Sequence, residues 1–381
     1  GLETLLSLKL GENIYSFNDI GISCSDTVGW IYINRNDLEN LGLDDGIYDL
    51  LLEKYRNYNE NFQVGAPVIS FNQDGEAICY LTLANKLIHQ VNRRAITIAE
   101  EMSGMPGLAA PISQCGWGFD FRMSMGVPDN WIKWIKDQKD EDWSMCGMYY
   151  ELTNKRKDEK TISYVECHDQ AMVGDKTVIF RLIDKEMYFS MDKGSHNPLV
   201  ERGIALHKMI RLVTVATAGD GYLTFMGNEF GHPEWIDFPR EGNNWSHKHA
   251  RRIWSLKDNP ELRFMALKDF DQDMITLIKR GSVPRYAPPH LYVSDSQKVL
   301  IFGRGRFIFA LNFSPVHSFT DFEFCAPSGE YRIALNTDAK NYDGFGRIDE
   351  SVHHFTSRKD GGDKLSLYLP SRSAIVLEKI R

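Results

Sequence analysis

The sequence predicts an α/β fold followed by an all-β domain, on three observations. Between residues 66 and 287, amphipathic helical patterns alternate with short apolar runs, which is the order of a parallel sheet with crossover helices. Several of these runs end abruptly in acidic, amide or imidazole side chains, as strands do where their carboxyl ends form a ligand site. From residue 288 to 381, only short β-type runs remain, separated by Gly, Asp, Asn and Pro, which predicts a β-sandwich.

Composition limits the function classes. The 381 residues suffice for one large and one smaller domain, and 43% hydrophobic with 25% charged residues is ordinary for a globular protein. A net charge of −8 argues against nucleic-acid or anionic-membrane partners. We find no signal peptide and no run of the ~18 to 20 apolar residues that a membrane span needs. The six cysteines are widely spaced without a CxxC pair, which indicates reduced thiols in a cytoplasmic protein.

Residues 66–287 contain four convincing strand ends, near positions 100, 120, 166 and 229. Helical periodicity predicts helices at 77–91, 129–137, 145–154, 200–217, 248–258 and 262–280. A closed eight-stranded barrel of alternating strands and helices needs roughly 250 residues. The pattern therefore predicts only the second half of a TIM (β/α)8-type barrel, from strand four or five to strand eight.

The first 65 residues remain an unassigned segment. GWIYIN (29–34) has the composition of a strand, and residues 37–58 have helical spacing with two glycine interruptions. No motif in this segment carries recognisable chemistry. The sequence does not specify an oligomeric state.

Two carboxylates, Glu100 and Asp169, stand where predicted strands meet their loops. Cleavage of a glycosidic bond needs one acid to protonate the leaving oxygen and another to attack or to stabilise the positive charge on the sugar. His168 is placed to donate a hydrogen bond to a sugar hydroxyl. A single acid at a strand end is more often a helix cap or an ion-pair partner, but a further polar strand end with Asn228 and Glu229 favours a site.

Other kinds of chemistry find less support in the sequence. No Gly-rich phosphate loop follows a strand and no HExxH motif is present, so we expect no cofactor and no metal. Cys167 adjoins His168, but neighbouring residues on an extended strand point to opposite faces and cannot easily share a proton. Cys167 is therefore interpreted as a small buried filler.

Four stretches resemble the glycogen and starch branching enzymes of the α-amylase superfamily. They are AITIAEEMSGMPGLAAPI, DEKTISYVECHDQAMVGDKT, RGIALHKMIRLVTVATAGDGYLTFMGNEFGHPEWIDFPREGNNWSHKHARRIW and YLPSRSAIVL. The resemblance covers roughly Asp74 to Arg381 and implies a TIM-barrel catalytic domain with an all-β C-terminal domain. It also implies a retaining transglycosylase that cuts an α-1,4-glucan such as glycogen, starch or amylose and rejoins the piece through an α-1,6 bond.

The resemblance implies a role for individual residues. Glu100 matches the general acid/base after strand five, Asp169 the transition-state stabiliser after strand seven, and His168 a neighbouring substrate-binding histidine. Asn228 and Glu229 are expected to bind substrate. Glu101 stands where the family usually has Asp, and Cys167 stands where it usually has Ser or Asn.

The nucleophile of these enzymes is an Asp in an Arg-x-Asp motif of the FRFDG type at the end of strand four. We find no counterpart of that motif. Asp120, in GFDFR, matches a stretch after the acid/base strand and is not a nucleophile candidate. The sequence therefore predicts a truncated branching enzyme whose chain alone has little or no activity. A non-catalytic glucan-binding or complementing partner protein and an unstable gene fragment remain as alternatives.

Overall fold

The computed structural model describes the backbone of four short N-terminal strands and most of the chain from residue 75 onward. The described ranges after the strands are 75–101, 104–114, 116–156, 159–172, 176–233, 237–248, 250–281 and 289–381. The chain divides into two compact units, one of residues 1–123 and 156–160, the other of 124–155 and 161–381. The helical pattern predicted at 37–58 lies outside the described residues.

The described part of the first unit contains two antiparallel hairpins, one α-helix and one pair of parallel strands. Its elements are β1 (Ser7–Leu10), β2 (Asn13–Ser16), β3 (Ile22–Ser25), β4 (Trp30–Ile33), α1 (Gly75–Val91), β5 (Ile98–Ala99) and β6 (Phe121–Met123). The predicted strand at 29–34 is confirmed as β4. The strand end predicted near 100 corresponds to the end of β5, whereas the one predicted near 120 falls at the beginning of β6 and not at its end.

A buried ion pair holds the parallel strands of the first unit to the loop between them. Ile98 lies opposite Phe121 and Ala99 opposite Arg122. The guanidinium of Arg122 lies 3.1 Å from the buried carboxylate of Glu159, and that carboxylate also accepts from the backbone N–H groups of residues 107 and 109. A buried charge that is paired and fully hydrogen-bonded fixes the local backbone, because leaving either partner alone would be costly.

The second unit contains a further pair of parallel strands and most of the helices. Its elements before the all-β domain are α2 (Gly126–Asp137), α3 (Met145–Thr153), β7 (Thr161–Tyr164), α4 (His168–Met172), α5 (Val178–Ile183), α6 (Pro198–Thr217), β8 (Gly221–Leu223) and α7 (Phe264–Gly281). Strands β7 and β8 are parallel, with Ile162 opposite Gly221. The helix α6 between them begins at Pro198, preceded by Asn197, whose side chain accepts from the N–H of Leu199.

Helix α6 is the centre of the second unit. Fifteen of its twenty residues are buried. One hydrophobic core joins α6 to the neighbouring helices and continues into the all-β domain. No helix among the described residues is both long and apolar enough to cross a membrane.

The helix predicted at 248–258 is wrong. Among the described residues of that range only a 3-10 turn, Trp254–Asp258, is helical. The backbone N–H of Ile253 donates to Nε2 of His232 at 2.9 Å, and the side chain of Arg252 binds the segment after β8. The N–H of Ile253 is therefore not available for a helical hydrogen bond, and the side chain of Arg252 holds the segment against the turn after β8.

The all-β domain is a sandwich of two antiparallel sheets, as predicted. Its strands are β9 (His290–Ser294), β10 (Val299–Arg304), β11 (Phe307–Asn312), β12 (Phe319–Cys325), β13 (Glu330–Asn336), β14 (His353–Phe355), β15 (Ser357–Lys359), β16 (Gly362–Leu369) and β17 (Ser373–Lys379). The larger sheet has the order β14-β13-β17-β11-β10-β9, and the smaller has the order β12-β16-β15.

The central strands of the larger sheet are buried on both faces. In β10, Val299 and Ile301 belong to the core between the two sheets, whereas Leu300 and Phe302 belong to the core shared with the helices. Successive side chains of a strand point to opposite faces, so a strand covered on both sides needs a continuous apolar run. Burial on both faces explains why the antiparallel strands β10 and β11 contain the continuous apolar runs VLIF and FIFAL.

Candidate active site

The polar segment 166–170, which the sequence predicts as part of a site, follows strand β7. Cys167 is 1% exposed, and its backbone N–H donates to Oε1 of Gln170 at 2.9 Å. This bond closes the turn from the strand into α4, which begins at His168. His168 and Asp169 are about two-fifths exposed, and Nε2 of the histidine lies 3.2 Å from Oδ1 of the aspartate. The buried position of Cys167 beside the exposed His168 agrees with the interpretation of Cys167 as a filler.

Arg252 organises the turn after β8. Its Nε donates to the carbonyl of Met226 at 2.9 Å and its Nη2 donates to Oδ1 of Asn228 at 2.8 Å. Nη1 lies 3.2 Å from Nδ1 of His232, which is itself buried. Gly227 has a φ of +93°, and a Cβ at that position would meet Nε of Arg252 at 2.7 Å, so the turn requires glycine there.

Asn228 and Glu229 differ in what they can reach. Asn228 is 1% exposed, which favours a part in holding the turn over direct contact with a substrate. Glu229 is partly exposed, and its Oε2 accepts from the N–H of Gly227 at 2.6 Å. Binding of substrate by these two residues stays a prediction. Arg252 was not predicted as a site residue, because its role depends on contacts with residues 20 to 26 positions away in the chain.

A buried carboxylate, that of Glu166, lies two residues before His168. Burial raises its pKa to about 7, although the N–H of Val178, which donates to Oε2 at 2.8 Å, and the guanidinium groups of Arg211 and Arg252 favour the charged form. Arg211 is held in turn by an ion pair with Asp271. Buried ionisable side chains therefore hold the backbone at the ends of β7 and β8 in place.

The first unit places Glu100 immediately after β5, with an exposed side chain. Its neighbour Glu101 forms an ion pair with Arg122. Asp120 accepts from the N–H of Thr97 at 2.7 Å and lies 2.9 Å from Nε2 of His89. Partial burial opposes ionisation of Asp120, but these hydrogen bonds hold its pKa below the usual value. The contacts give Asp120 a structural part, in line with its exclusion as a nucleophile.

One Arg-x-Asp tripeptide does stand upstream of Glu100, namely Arg35-Asn36-Asp37. It follows β4, which pairs antiparallel with β3. The catalytic acid of a barrel instead follows a strand of the parallel sheet. The tripeptide itself lies outside the described residues, and the absence of a nucleophile stays a prediction.

Known proteins with similar sequences are branching enzymes. The 1,4-α-glucan-branching enzyme of Solanum tuberosum is 49% identical over 306 residues, which cover 79% of this chain and 34% of that protein. The enzyme of Felis catus is 43% identical over 362 residues, covering 90% of this chain and 50% of that protein. This second match is too long to begin at Asp74, so it extends into the N-terminal segment. The chain spans about a third to a half of the length of these relatives.

Two further comparisons concern the fold. The family of α-amylase C-terminal all-beta domains matches residues 292–380. The α-amylase from Geobacillus thermoleovorans, solved in complex with acarbose, has a TM-score of 0.51 at 14% identity and covers 91% of this chain and 69% of that one. A cyclomaltodextrin glucanotransferase with a three-domain ABC distribution has a TM-score of 0.50, covering 89% and 61%. The resemblance of this chain to the 1,4-α-glucan-branching enzymes of the α-amylase superfamily, over part of their length, is therefore confirmed.

Proposed function

We propose that this chain is the C-terminal part of a 1,4-α-glucan-branching enzyme. The reaction is a retaining transfer that cleaves an α-1,4 bond of glycogen, starch or amylose and forms an α-1,6 bond. In it, Glu100 protonates the leaving oxygen, Asp169 stabilises positive charge on the sugar, and His168 binds a sugar hydroxyl. We also propose that the enzyme acts in glycogen synthesis and in the cytoplasm.

The identity to the branching enzymes carries this proposal. An alignment that covers 79% of a 381-residue chain must include every residue from Glu100 to Glu229. The geometry supports it through the strand end at β7, where a buried and hydrogen-bonded segment presents an exposed His-Asp pair. Such a pair can stabilise a developing cation and hold a hydroxyl without any cofactor.

The chain alone is expected to branch glucan poorly. A retaining enzyme needs a nucleophile besides the acid/base, and none is identified in this sequence. The test is to incubate amylose with the purified chain, debranch the product and measure the chain-length distribution. New short branches would contradict the expectation. The variant Asp37→Asn then distinguishes an unrecognised nucleophile at Arg35-Asn36-Asp37 from one elsewhere.

A second candidate is a glucan-binding or complementing partner without activity of its own. One observation favours it: α1 exposes an apolar stripe formed by Tyr80, Leu83, Leu87 and Val91. Exposed apolar stripes on a helix mark a surface that another polypeptide covers. If this candidate is right, the chain binds maltooligosaccharides in a titration but yields no branches, whether or not Glu100 is replaced.

A further inference from the structure

A cavity of about 710 Å³ lies between the beginning of α6 and the sandwich domain. It is distinct from the strand ends described above and belongs entirely to the second unit. Six basic side chains line it: Lys193, Arg202, Lys208, Arg263, Arg347 and Arg372. Three acidic side chains line it: Glu201, Asp338 and Asp343.

The positive charge of this cavity is only partly balanced. Buried Asp140, behind the cavity wall, pairs with both Arg202 and Arg372 at 2.8 Å. The other pairs among the lining residues are Arg347 with Asp338, Arg263 with Asp343 and His196 with Glu201. Counting Asp140, six basic groups face four carboxylates, which leaves an excess of two positive charges. Such an excess in a concave site raises the local concentration of anions.

Lys208 is a buried cation with spare hydrogen-bonding capacity. Its side chain is 1% exposed, and Nζ donates to the carbonyls of Thr337 at 2.6 Å and Tyr342 at 2.7 Å. An ammonium has three N–H groups, and the described residues supply acceptors for two of them. Burial lowers the pKa of Lys208 to about 8 despite the nearby carboxylates of Asp343 and Asp338. An anion at this wall would stabilise its charged form.

The side chains of Arg372 and Phe345 suit a ligand that has both an anionic group and a sugar ring. Arg372 donates to Asp140 through Nε, and among the described residues no acceptor is found for its two terminal NH2 groups. Phe345 lines the cavity with 58% of its surface exposed, and the guanidinium of Arg347 lies 5.1 Å from its ring centroid. Guanidinium groups bind phosphate oxygens, and an exposed aromatic face offers an apolar contact to a sugar ring.

We propose that this cavity binds the phosphate ester of a small sugar. A phosphate monoester carries about −1.5 to −2 charges near neutral pH, which matches the excess of two positive charges. The donors of Lys193, Lys208 and Arg372 bind the phosphate, and Phe345 contacts the sugar. The proposal goes beyond glucan branching and does not depend on it.

The test is a calorimetric titration of the whole chain with glucose 6-phosphate, inorganic phosphate and glucose. Glucose 6-phosphate is expected to bind more tightly than inorganic phosphate, and glucose is expected not to bind. Lys193→Glu should weaken binding of both anions about tenfold, because it replaces an attraction by a repulsion. Phe345→Ala should weaken the sugar phosphate and leave inorganic phosphate unchanged.

Lys136→Glu is the matched control, because Lys136 is exposed on α2 and does not line the cavity. It should leave both affinities unchanged. Equal binding of glucose and its phosphate, an unchanged affinity in Lys193→Glu, or no saturable binding up to about 10 mM would each overturn the proposal. The titration needs no glucan, so its outcome and that of the branching assay are separate results.

Discussion

Arg252 is the residue on which the turn after β8 depends. It is 8% exposed and binds Met226, Asn228 and His232 at once. Replacing it by Ala should lower the free energy of unfolding by about 3 kcal/mol, because buried acceptors lose their donors. Urea unfolding measures this loss. The neighbouring Arg251→Ala is the control, because Arg251 is exposed, and equal effects of the two variants would contradict the assigned role.

Glu166 should make the stability of the protein depend on pH. Its pKa is about 7 in the folded protein against 4.5 for an ordinary Glu, so between these values the folded state holds a proton that the unfolded state has released. Its contribution to stability therefore falls as pH rises from about 4.5 to 7. Glu166→Gln should flatten this fall in urea titrations across that range, and the exposed Glu141→Gln should not. If the stability of Glu166→Gln and that of the unsubstituted chain fell in parallel over this pH range, the raised pKa of Glu166 would be refuted.

At the level of single residues, the sequence predicts which side chains lie at strand ends, but it does not predict the contacts that hold them in place. The sequence points to Glu100, His168 and Asp169 because they lie in polar segments that come directly after apolar runs. Arg252 and Lys208 were missed because their partners lie far away in sequence. A buried Arg or Lys has no local pattern of its own, since its position depends on the carboxylates and carbonyls that the fold brings to it.

Among the elements, α1 exposes the stripe formed by Tyr80, Leu83, Leu87 and Val91. The double variant Leu83→Lys with Leu87→Lys should reduce self-association of the chain, because the exposed apolar area drives it. Sedimentation velocity over a range of concentrations measures this effect. Gln138→Lys with Gln272→Lys adds the same charge at exposed polar positions and should change little. An unsubstituted chain that stays monomeric at every concentration would count against a covered surface.

Strand β10 ties the sandwich to the helices through Phe302. This side chain is fully buried and stacks on Phe309 with ring centroids 5.2 Å apart. Phe302→Ala should cost about 3 to 5 kcal/mol of unfolding free energy, since it removes apolar contacts and leaves a cavity. Phe355→Ala, on the exposed side of β14, should cost less than about 1 kcal/mol. A small cost at Phe302 would mean that the two parts do not share a core.

The type of an element followed from its pattern of apolar residues where those residues pack into a core. The continuous apolar runs of β10 and β11 predicted strands, and the periodic segment at α6 predicted a helix. The segment 248–258 has helical spacing too, yet Ile253 and Arg252 bind the turn at 225–232 instead. Tertiary hydrogen bonds there outweigh a weak local preference.

For the whole molecule, the fold class and the resemblance followed from the order of elements and from motifs. The two parallel pairs, the sandwich and the α-amylase-like neighbours agree with that prediction. The cavity beside α6 could not be foreseen, because its basic groups come from α6, from the segments before α6 and α7 and from the sandwich domain. Such a site exists only once distant segments pack together.

The central claim is that this chain carries the acid/base and the stabilising carboxylate of a glucan-branching reaction. The direct measurement is the branching rate of a chimera in which residues 74–381 replace the matching part of the Felis catus relative. The chimera is expected to introduce new α-1,6 branches into amylose. Glu100→Gln or Asp169→Asn should lower the rate about 10³-fold, and Glu141→Gln should leave it unchanged. A folded chimera that makes no branches, or that keeps its rate without either acid, would contradict the claim.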